Sequence, residues 1–452
     1  MTHSKTRMTE GPIGAQMIRF AAPLFLGNLF QQLYNTADAL IVGRYLGDSA
    51  LAAVSSTGSL IFLLISLFEG VAAGGGVIIS RYYGARDNDK LHLAVHTSVA
   101  FNLVAGLLLT AAGTGLTPWI LRLMGTPEEV MPLAVTYTRI FFAGSITLVM
   151  YNSLRGIMQA VGDGKDPLIF LSISSVINVI LDIVFIRFFN AGVGGAALAT
   201  VIAQMISAML CFKKLISTDE EYRIDIRDIR FNGRMLRMIV NYGLPSGLQN
   251  SVIAIANVVV QSNINAFGTM AMSGLGAYGK IEGFAFLPIV SFNIALTTFV
   301  GQNLGAGEYE RTKRGARFGV LCAVIMAEII GALFYVFAPT LIGCFTSEPR
   351  AIAFGVEKTH ICALFFCLLA ASHSLSAVLR GAGKAVVPMV AMLSFWCVVR
   401  VAFLKIAVPI FKVIAVVNWV YPLTWLLSTV FLTIYYFKAD WIHNFEREAA
   451  KS

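Results

Sequence analysis

Long apolar runs alternate with short polar or Gly- and Pro-containing breaks along almost the whole chain. A bilayer core about 30 Å thick needs roughly 20 mostly apolar residues per helix, and each run is long enough to meet that need. The pattern therefore predicts twelve membrane-spanning helices. Their expected bounds are 17–42, 51–80, 94–117, 133–158, 168–189, 193–213, 237–265, 272–300, 316–338, 353–379, 386–411 and 415–437.

The sequence repeats itself at an offset of about 221 residues. Gly84 in the first half corresponds to Gly305 in the second, and Pro23 corresponds to Pro245 when one gap is allowed. Six helices per half return the chain to the same side of the membrane, so the halves are parallel repeats about an axis along the membrane normal, as in many transporters. We predict an all-α polytopic membrane protein with two six-helix lobes related by pseudo-two-fold symmetry.

This division predicts five segments. They are a cytoplasmic N-terminus (1–16), a first lobe (17–213), a cytoplasmic linker (214–236), a second lobe (237–437) and a cytoplasmic tail (438–452). The linker has charges of both signs and no apolar run, which is typical of a solvated connection. The polar start shows no small-residue cleavage site, so the first span is expected to be retained.

Composition excludes a soluble protein, because 57% of the 452 residues are hydrophobic and only 13% are charged. The net charge of +9 does not indicate nucleic-acid binding, since most Lys and Arg residues lie in segments expected on the cytoplasmic side. The few basic residues assigned to outer segments are Arg44, Arg122, Arg187, Arg350, Lys358 and Lys412. We expect a multi-pass protein of the plasma (inner) membrane with both termini in the cytoplasm.

The six cysteines show no CxxC or Cys/His spacing, so neither a disulfide framework nor a transition-metal site is predicted. No cofactor is expected.

Five of the acids within predicted spans are singled out, because a charged side chain costs roughly 2.5 to 3.5 kcal/mol at the helix centre. They are Asp38, Glu69, Asp182, Glu282 and Glu328. Each is a candidate functional residue, although interhelical hydrogen bonding is the alternative role. For Glu328 that alternative is a pair with Arg400. For Glu282, lining a cavity and pairing with a nearby group stay equally open.

Two of these acids belong to polar helix faces in the first half. Asp38 follows Gln31 and Asn35 at i, i+4, i+7 spacing, and Asp182 lies one turn after Asn178. Carboxylate, amide and hydroxyl oxygens are hard ligands that suit a small cation, and two neighbouring buried carboxylates favour a shared proton. The residues that we expect to bind H⁺ or Na⁺ are Asp38, Asn178, Asp182 and Thr200.

The second half lacks this chemistry. The counterparts of Asp38 and Asp182 are Val260 and Phe403, while Asn257 and Gln261 keep an uncharged polar face. We therefore predict that ion coupling is confined to the first half, and that the second half contributes to a cavity.

Several segments together resemble the multidrug and toxic compound extrusion (MATE) family over essentially the whole chain. They are AAPLFLGNLFQQLYNTADALIVGRYLG, RGIMQAVGDGKDP, NVILDIVFI, TTFVGQNLGAGEYER and LRGAGKAVVP. The resemblance implies a V-shaped pair of six-helix lobes that exports bulky, often cationic amphiphiles in exchange for Na⁺ or H⁺. It also implies a cation site at the four residues named above, with Asn152 as an accessory polar position.

We expect a secondary active multidrug efflux antiporter that works by alternating access, without enzymatic activity, and functions as a monomer. Its partners would be amphiphilic small molecules and membrane lipid, not nucleic acid. The expected cavity residues are Gln31, Tyr34, Asn35, Asn152, Asn257, Gln261 and Glu282.

Two alternatives remain open. A flippase for lipids or lipid-linked precursors would favour more than twelve helices and a cationic cavity. An intramembrane enzyme would need a catalytic constellation at one depth, and His360 and His373, two histidines in predicted spans, have no such partner set.

Overall fold

The structure is a computed structural model that describes residues 7–124 and 126–449. In these ranges the chain forms helices and connecting turns, without any strand. The helices are α1 (Ile13–Leu46), α2 (Asp48–Ala85), α3 (Asn88–Leu123), α4 (Met131–Ala143), α5 (Ser145–Ala160), α6 (Lys165–Ile183), α7 (Gly192–Ser217), α8 (Gly233–Asn265), α9 (Thr269–Gly305), α10 (Tyr309–Gly343), α11 (Pro349–Ala363), α12 (Phe366–Gly381), α13 (Val386–Met392), α14 (Arg400–Phe411), α15 (Ile414–Lys438) and α16 (Asn444–Ala449). Two π-helical turns, Val184–Phe188 and Leu393–Val399, continue α6 and join α13 to α14.

These helices account for the twelve expected membrane crossings. Among the described residues, nine helical segments are individually long and apolar enough to cross a membrane. Two bent pairs, α4 with α5 at 47° and α11 with α12 at 56°, supply one crossing each. Helix α2, with 38 residues, is the twelfth, and some of its side chains lie outside the description. The prediction of an all-α protein with twelve helices is confirmed.

The backbone repeats the duplication seen in the sequence. Gly47, between α1 and α2, has φ 84°, and Gly268, between α8 and α9, has φ 91°. Gly162 and Gly383 form a second such pair, with φ of 87° and 79°. This left-handed region costs glycine little and strains other residues, so the same turns need glycine in both halves.

The chain divides into two compact units, and the division falls inside two helices. Unit 1 contains Leu26–Gly247, and unit 2 contains Arg7–Phe25 together with Leu248–Ser452. The start of α1 therefore packs with helices of the second half, and the start of α8 packs with helices of the first half. The lobe boundaries expected from the sequence stay a prediction.

In unit 1, helix α2 crosses the start of α8 at backbone contact. A Cβ atom added at Gly74 would lie 2.4 Å from the backbone nitrogen of Gly243, and one added at Gly70 would lie 2.1 Å from that of Gly247. Such distances leave no room for any side chain, so these glycines set how closely the two helices approach.

The end of the linker is also held in unit 1. The backbone N–H of Asp225 donates to Nε2 of His96 at 2.9 Å, and that of Asn232 donates to Oγ1 of Thr97 at 3.3 Å. Tyr222 is only 2% exposed. These contacts hold this part of the linker against α3, while most residues of the linker are exposed.

A similar contact holds the segment before α1 in unit 2. The guanidinium of Arg311 donates to the backbone carbonyls of Met8, Glu10 and Gly11. The backbone N–H of Met8 donates to Oε1 of Gln302 at 3.0 Å. Gln302 and Arg311 belong to the GQNLGAGEYER motif, so this motif anchors the root of the first helix.

Candidate functional site

The acids Asp38 on α1 and Asp182 on α6 lie next to each other inside unit 1. Asp182 is fully buried and Asp38 is partly buried. Their carboxyl groups are close enough to share a hydrogen bond when one of them carries a proton. Asp182 lies just before the π-helical turn Val184–Phe188.

Several buried polar atoms around this pair have no hydrogen-bond partner in the described chain. They are Oδ1 of Asp38, both carboxylate oxygens of Asp182, and both amide atoms of Asn178. A buried polar atom without a partner costs about 1 to 3 kcal/mol, and more when it is charged. Because the orphaned acceptors are mostly carboxylate oxygens, the group fits a proton or a small cation.

Neutral oxygen and nitrogen groups surround a small cavity beside Asn178. It is lined by Tyr34, Leu171, Ser174, Ser175, Asn178, Thr200, Ala203 and Gln204. The hydroxyl of Thr200 donates to the carbonyl of Ala196 at 3.1 Å, which leaves its oxygen lone pairs available. Helices α1, α6 and α7 thus bring Asp38, Asn178, Asp182 and Thr200 into one region of unit 1.

Three polar residues of this cavity were not predicted from the sequence: Ser174, Ser175 and Gln204. Ser174 precedes Asn178 by four residues and Gln204 follows Thr200 by four, so each shares a helix face with a residue that was identified. This four-residue spacing is the feature of the sequence that could have identified Ser174 and Gln204 as cavity residues. Serine and glutamine are otherwise too common in helices to be singled out.

No group of three or more His, Cys, Asp or Glu side chains that could hold a metal ion occurs in the described part of the chain. The candidate site instead combines two carboxylates with hydroxyl and amide groups. This ligand set suits a hard monovalent cation or a proton, because soft metals prefer thiolate or imidazole ligands.

The other expected cavity residues of unit 1 lie on two helices, α1 and α5. Tyr34 is hydrogen-bonded to the Gln204 side chain. Gln31 is partly buried and Asn35 is exposed. The amide of Asn152 on α5 donates to Oε1 of Glu69 on α2 at 3.3 Å.

The expected cavity residues of unit 2 lie on α8 and α9. Asn257 and Gln261 are exposed on α8, and the Gln261 amide donates to Oδ1 of Asn265 at 2.9 Å. On α9, Oε1 of Glu282 accepts a hydrogen bond from the hydroxyl of Tyr278 at 2.9 Å.

Two expectations about charged residues of unit 2 were wrong. Glu328 does not pair with Arg400, because its Oε2 accepts the backbone N–H of Cys367 at 3.0 Å. That N–H is one of the free donors at the start of α12, created by a bend that the sequence did not reveal. Lys358 does not lie in an exposed outer segment; it is inside α11 and only 4% exposed.

The family model MatE matches residues 23–184 and matches again at 245–405. The chain belongs to the MATE family. The two matches begin at Pro23 and Pro245, so the MATE architecture is present twice, once in each half. Proteins of this family are transporters and not enzymes, and the chain is a multi-pass membrane protein.

Curated MATE relatives are similar over most of the chain. The probable multidrug resistance protein YoeA of Bacillus subtilis is 29% identical over 440 residues, which cover 95% of each protein. The probable multidrug resistance protein YpnP of the same organism is 31% identical over 395 residues, or 86% of this chain and 87% of YpnP.

Solved MATE structures share the fold. The outward-facing structure of a multidrug resistance MATE family transporter has a TM-score of 0.88 and 24% identity, and the match covers 100% of this chain and 99% of that one. At this identity the likeness establishes the architecture of twelve helices in two lobes and nothing about substrate.

Proposed function

We propose that this MATE-family transporter exports amphiphilic, often cationic small molecules across the cell membrane in exchange for H⁺ or Na⁺. The ion is bound at Asp38 and Asp182, with Asn178 and Thr200 as neutral ligands. The observation that carries the proposal is the buried pair of carboxyl groups with orphaned oxygens in unit 1. Export of drug-like molecules is supported by the names of the two Bacillus subtilis relatives.

The physical reason for ion binding is electrostatic repulsion. Two like charges about 4 Å apart repel each other by roughly 4 kcal/mol at an effective dielectric constant of 20. A proton on one carboxyl group, or a cation between the two, removes this repulsion and supplies the missing partner. The pair is therefore much more stable in an ion-loaded form than in the doubly charged form.

Coupling follows if the loaded form favours one conformation of the transporter. A ligand shifts a conformational equilibrium only by the difference of its affinities for the two states. Asp38 and Asp182 lie on different helices, α1 and α6, so a change in the distance between these helices changes the affinity for the ion. The neutral lining of the small cavity then supplies ligands without adding charge.

The membrane arrangement of the proposal follows the distribution of charges. Both termini and the linker lie in the cytoplasm, because these segments together with the other loops expected on the same side carry most of the Lys and Arg residues. The protein functions as a monomer, and its exposed apolar helix faces contact lipid. Leu108 at 63% and Val336 at 69% exposure are examples of such lipid-facing side chains.

Transport by reconstituted protein tests the proposal. Proteoliposomes receive a Na⁺ gradient or a pH gradient, imposed separately, with ethidium as the fluorescent cargo. The D38N and D182N variants should lose ion-driven ethidium movement by more than tenfold, while the wild type responds to at least one gradient. D166N is the matched control, since Asp166 lies on the same helix as Asp182 and pairs with Lys214 at 3.0 Å. Undiminished ion-driven ethidium movement by D38N would refute the assignment of Asp38 as an ion ligand.

A further inference from the structure

Glu69 of unit 1 is an acid within a predicted span that the proposed ion site does not use. It lies near the middle of the 38-residue helix α2. The residue is exposed, although Ser66, Gly70 and Val71 around it on the same helix are buried. Ala73, one turn later on the face of Glu69, is exposed as well. This face of α2 is therefore open, and a small side chain next to the acid leaves room in front of it.

The carboxylate of Glu69 is held from one side only. Its Oε1 accepts a hydrogen bond from the amide of Asn152 on α5 at 3.3 Å. In the described part of the chain its Oε2 has no hydrogen-bond partner, and no cation forms an ion pair with it. Arg155, one turn further along α5, instead places its guanidinium 5.5 Å from the ring centre of Tyr151. One carboxylate oxygen thus stays available to a ligand.

The position of Glu69 indicates contact with water and not with lipid. Acidic side chains at this depth of a membrane face the interior of a helix bundle or a water-filled recess, because contact with hydrocarbon is too costly. The polar side chains of Asn152 and Arg155 lie on the neighbouring helix. In such a recess the effective dielectric constant is lower than in bulk water, so a carboxylate attracts a positive charge more strongly.

Apolar side chains lie beside the carboxylate. Phe68 directly precedes Glu69, and Leu148 lies one turn before Asn152 on the same face of α5. Both are partly buried and pack against one hydrophobic core cluster of unit 1, as Ile61 does. A single carboxylate next to apolar surface fits an organic cation with a large apolar body. A small metal ion would gain nothing from the apolar surface.

A purely structural role for Glu69 would be the hydrogen bond between α2 and α5. That bond needs an acceptor but no charge, so a glutamine at position 69 could make it as well. It explains neither the open face of α2 nor the oxygen without a partner. The negative charge of Glu69 therefore exceeds what packing of the two helices requires.

We propose that Glu69 binds the positively charged group of the cargo, while Phe68 and Leu148 contact the apolar body of the same molecule. Asn152 acts as a positioning residue that orients the carboxylate. The inference rests on the proposed export of amphiphilic cations and deepens it, because it separates two roles. The cargo charge is recognised at Glu69, whereas the coupling ion is bound at Asp38 and Asp182.

The test compares two dyes of nearly the same shape, ethidium and dihydroethidium, of which ethidium alone carries a permanent positive charge. Each dye is titrated with purified protein at one detergent concentration, and binding is followed by fluorescence anisotropy. E69Q should raise the Kd for ethidium by about tenfold or more, as expected for the loss of one charged contact. It should leave the Kd for dihydroethidium unchanged. F68A should weaken both dyes by a similar factor, because it removes apolar contact and no charge.

The matched control is E328Q, since Glu328 is another acid in a predicted span, on α10, and accepts the backbone N–H of Cys367. E328Q should change neither Kd. If E69Q does not fold, E69D is compared with E69N, because these side chains have the same shape and differ in charge. E69D should then bind ethidium more tightly than E69N.

Two results would overturn the proposal. Equal weakening of both dyes by E69Q would show a structural role for Glu69, and an unchanged Kd for ethidium in E69Q, or equal values in E69D and E69N, would show that its charge does not bind cargo. Failure of the antiport function would appear separately, as a wild type that prefers ethidium in detergent but responds to neither gradient in proteoliposomes.

Discussion

The close crossing of α2 and α8 in unit 1 predicts that single methyl groups added two residues apart in α2 have different effects. In G74A the new methyl group would lie 2.4 Å from the backbone nitrogen of Gly243 and 2.6 Å from the carbonyl oxygen of Ile239. In G76A the nearest atom is the carbonyl oxygen of Gly156 at 3.8 Å, an ordinary contact distance. The two substitutions are chemically identical and lie in one helix.

Two effects compete in each variant. Replacing glycine by alanine inside a helix stabilises the folded state by roughly 0.5 to 1 kcal/mol. Forcing an extra methyl group into a packed contact costs about 1 to 3 kcal/mol. At Gly74 the obstructing atoms belong to backbone, which has no rotamer to change, so the helices must separate by about 1 Å. We expect G74A to be destabilised by about 1 to 2 kcal/mol and G76A to be neutral or slightly stabilised.

Thermal unfolding of purified protein in detergent measures the difference. Both variants are compared with the wild type at one detergent concentration, and G243A, whose methyl group would lie 2.4 Å from Cα of Val71, tests the same contact from the other helix. G243A should behave like G74A. Equal midpoints for G74A and G76A would refute the reasoning that this crossing is limited by backbone contact.

Further predictions concern the anchoring contacts made by Arg311 and His96 and the proposed ion site. R311M removes the donor to three backbone carbonyls before α1, so limited proteolysis should cut near Met8 several times faster, whereas K313M, at an exposed lysine paired with Glu310, should not change the rate. His96 accepts a hydrogen bond from the Asp225 amide only when its Nε2 is unprotonated, so lowering the pH should reduce the protection of that amide, measured as its hydrogen-exchange rate relative to the intrinsic rate at each pH; a pH-independent protection would contradict this geometry. D38N and D182N should lose ion-driven ethidium exchange, and a double variant no weaker than either single one would indicate that the two acids act as one unit.

Hydropathy predicted the number of helices because the apolar run is what the bilayer requires. It placed the ends less well: α3 covers Asn88–Leu123, whereas its apolar run suggested 94–117. Polar residues at the N-terminal end continue the helix, with Asp87 accepting the N–H of Lys90 as the N-cap. The ends of an apolar run are set by transfer into lipid, whereas the ends of a helix are set by capping and backbone hydrogen bonds. The bounds of the apolar run therefore do not determine the bounds of the helix.

The bend between α4 and α5 was not predicted. Gly144 lies at this break, and a Cβ there would be 2.2 Å from the Val201 side chain on α7. The requirement for glycine arises from a helix far away in the sequence. The sequence around Gly144 contains no proline, so the hydropathy pattern predicted one continuous span over 133–158.

The acid pair could be found from the sequence because both acids repeat a polar face at helical spacing. Lys358 could not, because its charge placed it with the basic residues assigned to outer segments. The rings that hold its ammonium come from α9 and α15. Only the folded chain brings residues 278, 358 and 421 together.

The division of α1 and α8 between the units bears on how such a chain could have arisen. Each unit is completed by the first-helix segment of the other half, which is the relation found in domain-swapped dimers. A half-length ancestor that kept this division would complete each unit by exchanging first-helix segments with a second copy. In the present chain the same exchange takes place within one molecule.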